Sequence, residues 1–96
     1  MYTFNICDFQ LLNEKLNRDN ELEKKFNKCL DDASSALMFF SDDCATLFLN
    51  FEAGKKMDDF LQKQCNFYIY KIEENQFTYK IKSIKENIKM PVLRFF

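Results

Sequence analysis

Apolar residues in the first third of the chain follow two different periods. Large apolar side chains occupy every second position of residues 2–7, which predicts a β-strand. After Asp8, a candidate N-cap, apolar residues recur three and four positions apart, as they do on one face of a helix. A second N-cap signal at Asn20 predicts another helix, which we expect to reach Asp32.

The apolar segment that follows fits two interpretations. The first is a β-hairpin with strands over 36–41 and 44–51 and a turn at Asp42 and Asp43. Its first strand would be apolar on both faces, as buried central strands are. The second interpretation extends the preceding helix to Phe40, breaks it at the acidic pair and begins another helix. We expect at least the strand over 44–51, because large apolar residues recur there at every second position.

Residues 67–84 carry the clearest strand pattern. Gly54 is expected to end the preceding segment, and a short helix is expected over 55–64. After this helix, two runs of aromatic and β-branched residues flank Glu74-Asn75. A two-residue loop there creates these core-facing pairs: Ile72 with Phe77, Tyr70 with Tyr79, and Tyr68 with Ile81. The outer face would then carry Lys71, Lys80 and Lys82, together with Phe67 and Ile69.

Length and composition predict one domain. The chain has 96 residues, of which 47% are hydrophobic and 30% charged, which suits one small core but not two. We predict a single α+β domain over 1–96, in which N-terminal helices pack on an antiparallel sheet that contains the 67–84 hairpin. The residues carry no resemblance to a known protein family.

Cysteine and histidine content limits the chemistry that this chain can perform. There are four cysteines and no histidine, so the commonest general base and the commonest metal ligand are missing. The cysteines, which are Cys7, Cys29, Cys44 and Cys65, have no C-x-x-C spacing. We expect reduced, largely buried thiols, with a zinc site or disulfides as the alternative. The prediction is a non-catalytic protein without metal or cofactor.

Charge is distributed unevenly along the chain, although the formal net charge is only −1. Residues 31–54 contain five acidic residues and no basic one, whereas residues 66–96 contain six basic residues and three acidic ones. The acidic residues Asp31, Asp32, Asp42, Asp43 and Glu52 form a candidate partner-binding patch. Such a patch would mimic nucleic-acid phosphates toward the basic groove of another protein.

The leading functional hypothesis is therefore a protein-binding module without enzymatic activity. Small, mildly acidic chains without motifs are common among accessory proteins of phages and mobile elements, such as anti-CRISPR inhibitors of nucleic-acid-handling complexes. In that mechanism the acidic patch blocks a basic channel. Phe95 and Phe96 are candidate apolar contacts to the partner, because large exposed aromatic residues are typical of interfaces.

Two alternative functions stay open. Lys71, Lys80 and Lys82 could bind RNA or DNA, a hypothesis weakened by the expectation that the hairpin tyrosines face the core. The chain could also be an immunity-type protein or a subunit of a homo-oligomer. Since no leader-like N-terminus or long apolar run is present, we expect a cytoplasmic protein that does not interact with membranes.

Overall fold

The computed structural model of the chain describes residues 1–31 and 38–82. The described elements, in chain order, are β1 (Tyr2–Cys7), α1 (Phe9–Arg18), α2 (Asn20–Asp31), β2 (Met38–Ser41), β3 (Cys44–Leu49), α3 (Phe51–Asp59), β4 (Phe67–Glu73) and β5 (Gln76–Ile81). A π-helical turn, Phe60–Gln64, continues α3 without a break. The Cys65 N–H closes this turn by donating to the carbonyl of Phe60 at 3.2 Å.

The described strands form one mixed sheet in the order β2-β3-β1-β5-β4. The central strand β1 is antiparallel to β3 and parallel to β5, and the other neighbouring pairs are antiparallel. Helices α1 and α2 lie between β1 and β2 in the chain, whereas α3 lies between β3 and β4. The predicted α+β class is confirmed, but the sheet is not purely antiparallel as predicted, because β1 and β5 run parallel.

The hydrophobic core lies between the helices and one face of the sheet. The sheet contributes Phe4 and Ile6 from β1, Leu47 and Leu49 from β3, Phe67 and Ile69 from β4, and Phe77 and Tyr79 from β5. The helical segments contribute Leu12, Leu16, Phe26, Met57, Phe60 and Leu61. Burial of each large apolar side chain stabilises the fold by about 1.5–3 kcal/mol. Because every described helix joins this cluster, all of them lie on the same face of the sheet.

The first N–H groups of α1 are capped by Asp43 of the β2–β3 turn and not by the preceding residue, Asp8. Asp8 precedes the helix with φ 58°, but its side chain makes no capping hydrogen bond. Its Oδ2 atom instead accepts from the Ile81 N–H at 3.3 Å. The β2–β3 turn supplies the cap: the Asp43 carbonyl accepts from the Phe9 N–H at 3.2 Å, and Asp43 Oδ1 accepts from the Gln10 N–H at 3.1 Å. The prediction of Asp8 as the capping side chain is therefore wrong.

The second helix is capped one residue earlier than predicted, and it begins at Asn20 itself. Asp19 Oδ1 accepts from the N–H groups of Glu21 and Leu22, at 3.1 and 3.3 Å. Asp19 therefore caps α2 in the position predicted for Asn20. The helix is described as far as Asp31, the last residue before the gap in the described residues.

The hairpin interpretation of the apolar segment is confirmed, and the helical interpretation is wrong for residues 38–49. Strands β2 and β3 pair antiparallel across a two-residue turn at Asp42 and Asp43. Asp42 adopts a left-handed conformation with φ 54°, which aspartate tolerates better than most residues do. Residues 36–37 of the predicted first strand lie outside the described part of the chain.

The third helix starts four residues before its predicted beginning, at Phe51. Asn50 is the N-cap, and its side-chain oxygen accepts from the Ala53 N–H at 2.8 Å. Gly54 was expected to end the strand segment, but it lies buried inside α3. The strand therefore stops at Leu49, because the Asn50 side chain caps the helix that begins at the next residue, one turn earlier than predicted, by accepting from the Ala53 N–H.

Candidate binding surface on the open face of the sheet

Strand β4 contains a β-bulge at Tyr70, and this extra residue changes which side chains face the core. Ile72 lies opposite Phe77, as predicted, but Ile72 is 45% exposed rather than buried in the core. Beyond the bulge, Ile69 rather than Tyr70 lies opposite Tyr79. Because side chains alternate along a strand, a shift of one residue moves every side chain beyond it to the other face of the sheet.

Burial confirms the reversal. Phe67 and Ile69 are 0% and 1% exposed, whereas the Tyr70 side chain is 55% exposed. Tyr68 lies opposite Lys80 on the neighbouring strand and is half-buried. The prediction that the two tyrosines point into the core, with Phe67 and Ile69 outside, is therefore wrong. Residues 83–84 of the predicted hairpin lie outside the described residues.

We call the sheet surface opposite the helices the open face. It is formed by Thr3, Asn5 and Cys7 of β1, Cys44, Thr46 and Phe48 of β3, Tyr68, Tyr70 and Lys71 of β4, and Thr78 and Lys80 of β5. Within residues 1–31 and 38–82, no helix covers this surface. It combines aromatic rings, hydroxyl and amide groups, and lysines.

Lys80 and two tyrosines form the most organised part of the open face. The Lys80 ammonium nitrogen lies 3.8 Å from the centre of the Tyr70 ring, a cation–π geometry. The Tyr68 ring lies 6.4 Å from the Tyr70 ring at an angle of 79°. Edge-to-face contact of this kind holds two aromatic rings in a fixed arrangement. The three side chains therefore place a positive charge beside two partly exposed aromatic rings.

The other lysines of the predicted nucleic-acid site differ in their surroundings. Lys71 forms an ion pair with Glu73 at 2.7 Å, and this contact raises the pKa of the Lys71 ammonium. Lys82 directly follows β5, and its backbone N–H donates to the carbonyl of Asn66 at 2.9 Å. The hairpin thus brings Lys71, Lys80 and Lys82 to the same region as the tyrosines, although Glu73 offsets one of the three charges.

The predicted acidic patch is spread over three places in the fold. Asp31 is exposed at the end of α2, and Asp42 is exposed in the β2–β3 turn. Glu52 is exposed in the first turn of α3, beyond the other end of β3. A six-residue strand such as β3 is about 17–20 Å long, so Glu52 lies far from Asp42. Asp43 is exposed but engaged in capping α1.

Three of the residues named from the sequence have no described position. Asp32, Phe95 and Phe96 lie outside the described residues, so the structure does not place them relative to the other candidates. The described members of the acidic patch are thus Asp31, Asp42 together with Asp43, and Glu52.

Two cysteines that are far apart in the sequence meet at one end of the open face. Cys7 ends β1, Cys44 begins β3, and the strand register places them opposite each other. Their sulfur atoms are 2.7 Å apart, although no disulfide joins them. Burial and the neighbouring Cys44 thiol raise the pKa of Cys7 to about 12. No group of three metal-ligating side chains occurs among the described residues.

A basic groove between α2 and α3 was not anticipated from the sequence. Its volume is about 290 Å³, and Phe60 and Cys29 form its apolar part. The polar lining consists of Lys25, Lys28, Lys56, Asp59 and Gln64. Lys25 donates to the Gln64 side chain at 3.0 Å across the groove. The only sequence signal is the spacing of three between Lys25 and Lys28 on the polar side of α2.

A buried carboxylate links α3 to the sheet. Asp58 is 8% exposed, and its Oδ1 atom accepts from the Tyr79 hydroxyl at 2.8 Å and from the Gln62 amide at 2.7 Å. Burial raises the pKa of Asp58, although both hydrogen bonds lower it. The same burial, together with the Asp58 carboxylate, raises the pKa of Tyr79. This network is a structural link, because it lies inside the fold and away from the open face.

Comparison with known proteins gives no further guidance. No family model matches the chain, and no curated protein or solved structure matches it. Among the described helices, none is both long and apolar enough to cross a membrane. The best indications of function are therefore the chemistry and placement of the side chains described above.

Proposed function

We propose that this chain is a non-catalytic binding protein that holds single-stranded nucleic acid on the open face of its sheet. The observation that carries the proposal is the Lys80 ammonium 3.8 Å from the centre of the Tyr70 ring, next to the Tyr68 ring. The sequence-based objection to nucleic-acid binding was that these tyrosines would face the core. The bulge at Tyr70 removes that objection.

The chemistry of the open face suits an unpaired strand. Every base has a flat π-surface, and stacking on an aromatic side chain contributes about 1–3 kcal/mol per base whatever the sequence. Lysines beside the rings neutralise the phosphates that connect stacked bases. The hydroxyl and amide groups of Thr46 and Asn5, which already hydrogen-bond each other at 3.0 Å, can exchange that contact for contacts to bases or sugars.

The charge balance predicts moderate affinity. The protein as a whole has a formal net charge of −1, so it attracts a polyanion only locally. Lys71, Lys80 and Lys82 supply the local positive charge, and Glu73 reduces it. Binding should therefore be salt-sensitive and should prefer flexible single strands, which can place bases on the rings, over duplexes.

Titration with fluorescently labelled single-stranded RNA and DNA tests the proposal directly. We expect binding at about 50 mM salt that weakens as salt is added. Tyr70→Ala should lower affinity about 5- to 150-fold, the equivalent of one lost base stack. Lys24→Gln is the matched control, because Lys24 lies on the exposed side of α2 and contacts only Glu21 among the ion pairs described. Absence of wild-type binding at low salt contradicts the proposal.

A second candidate is inhibition of a protein with a basic nucleic-acid groove, as phage-encoded anti-CRISPR proteins do. Its support is the exposure of Asp31, Asp42, Asp43 and Glu52. Asp42→Lys with Glu52→Lys is the appropriate variant, because Asp43→Lys would also remove the cap of α1. Affinity capture with the wild-type chain should retain a basic partner that the double variant loses. Equal capture by both chains excludes an acidic-patch mechanism.

Self-association or an immunity-type complex is a third possibility, and exposed apolar residues support it. Phe40 on the edge strand β2 is 63% exposed, and Ile72 on the opposite edge strand is 45% exposed. Sedimentation at high protein concentration distinguishes an oligomer from a monomer. We propose a cytoplasmic location for all three candidates, since a reducing compartment preserves the thiols that the sequence predicts.

A further inference from the structure

The strongest unexplained feature outside the tyrosine and lysine cluster is the contact between Cys7 and Cys44. Their sulfur atoms are 2.7 Å apart, and the residues are separated by 37 positions in the chain. A disulfide bond is about 2.05 Å long, so a small inward movement of the two sulfurs is enough to form one. The β1–β3 register already places the two residues opposite each other on neighbouring strands.

We propose that Cys7 and Cys44 are a reversible oxidation site, at which a cross-strand disulfide forms between β1 and β3. The oxidant that we name is a low-molecular-weight disulfide such as oxidised glutathione. One cysteine thiolate attacks this disulfide, forms a mixed disulfide and releases one glutathione thiolate. The second cysteine then attacks the protein sulfur and releases the second glutathione. Two protein thiols lose two electrons and two protons in total, and one oxidised glutathione becomes two reduced molecules.

Burial and neighbouring side chains act on the Cys7 thiol. The raised pKa of Cys7, about 12, leaves almost no thiolate at neutral pH. Burial causes the largest part of this increase in the Cys7 pKa, and the Cys44 thiol causes a further part. The part due to Cys44 disappears once Cys44 carries glutathione. Lys80 acts in the opposite direction and favours the Cys7 thiolate. In either order, one cysteine attacks the oxidant and the other completes the protein disulfide.

The disulfide would change the fold's stability rather than its shape. It closes a chain segment that contains α1, α2 and β2, and so restricts the unfolded chain more than the folded one. Since folding holds the thiols together, the folded protein should form this bond far more readily than the unfolded protein. Because folding favours the disulfide, the disulfide equally favours the folded state. The oxidised protein should therefore melt at a higher temperature than the reduced one.

Peptide mapping after equilibration with reduced and oxidised glutathione tests the site. Trypsin leaves Cys29 and Cys44 together on residues 29–55, so a second protease that cleaves at Asp42 and Asp43 is needed. We expect a linked pair of peptides that contain Cys7 and Cys44. The disulfide should form at least about tenfold more favourably in the folded protein than in urea. The oxidised protein should melt roughly 10 °C higher.

Single substitutions distinguish the site from general thiol reactivity. Cys29→Ser should form the linked peptides and show the same rise in melting temperature, because Cys29 lies outside the pair. Cys7→Ser and Cys44→Ser should each stop at a mixed disulfide between glutathione and the remaining cysteine of the pair, and neither should show the rise in melting temperature. The proposal is overturned if the wild-type chain accumulates glutathione on Cys44 without a Cys7–Cys44 link. It is also overturned if the link forms no more readily in the folded chain than in urea.

Discussion

The Tyr79 hydroxyl donates a hydrogen bond of 2.8 Å to Asp58, and this bond joins β5 to α3 inside the core. Tyr79 is 0% exposed and Asp58 is 8% exposed, so water does not replace the bond easily if it is lost. Gln62 is the second donor to the same carboxylate oxygen. The position of α3 over the sheet therefore depends on a buried polar contact as well as on apolar packing.

Tyr79→Phe should destabilise the protein by about 1–3 kcal/mol. The substitution keeps the ring in the core but leaves the Asp58 carboxylate with one fewer donor, and an unsatisfied buried charge is costly. Asp58→Asn is the informative companion, because its amide oxygen can still accept from Tyr79 while the buried charge is removed. Urea unfolding should show a lower free energy of unfolding for Tyr79→Phe than for Asp58→Asn. Equal stability of Tyr79→Phe and wild type would mean that the bond contributes nothing.

The raised pKa of Asp58 predicts an unusual dependence of stability on pH. Burial raises this pKa above its ordinary value of 3.8, so the folded protein holds the proton at pH values where the unfolded chain has lost it. The stabilising contribution of the protonated group is fully present below about pH 3.8 and is lost as the pH rises through the folded-state pKa. Asp58→Asn lacks this contribution. The stability of wild type relative to Asp58→Asn should therefore fall as the pH rises, and a constant difference would contradict the assignment.

Asn50→Ala should cost about 1 kcal/mol, because it removes the side-chain cap of α3. The bond from the Ala53 N–H to the Asn50 side chain is 2.8 Å long and half-buried, which favours a measurable effect. Asn13→Ala, at an exposed position inside α1, is the matched control and should change stability little. Thermal unfolding followed by circular dichroism gives both values. If both variants lose the same amount of stability, the loss in Asn50→Ala does not come from the missing cap.

Local sequence patterns are sufficient to predict most of the helices and strands. They do not predict which side chains of β4 face the core. The first four residues of β4, Phe67 to Tyr70, are all large and apolar or aromatic, so their alternation does not distinguish inside from outside. The turn correctly sets the pairing of Ile72 with Phe77, and the bulge then changes the register. No local signal marks that bulge, because it is favoured by packing Phe67 and Ile69 into the core.

The candidate sites required tertiary information for a similar reason. Cys7 and Cys44 look like two isolated thiols in the sequence, and only the antiparallel pairing of β1 with β3 brings them together. The lysines at 71, 80 and 82 are recognisable from composition, yet the contact of Lys80 with the Tyr70 ring depends on the register of the hairpin. The acidic residues were equally recognisable, and the length of β3 separates the turn aspartates from Glu52.

Salt dependence separates the two parts of the proposed nucleic-acid site. For a single strand, the logarithm of the binding constant falls by about 0.7 per logarithmic unit of salt for each phosphate neutralised. Lys80→Gln should reduce the steepness of this dependence by about 0.7, because it removes one charge and keeps a side chain of similar length. Tyr70→Ala should weaken binding at every salt concentration and leave the steepness unchanged, because stacking releases no counterions. Binding constants measured at about five salt concentrations for wild type, both variants and Lys24→Gln decide between these outcomes. If Lys80→Gln leaves the steepness unchanged, the Lys80 ammonium contacts no phosphate and serves only to hold the Tyr70 ring.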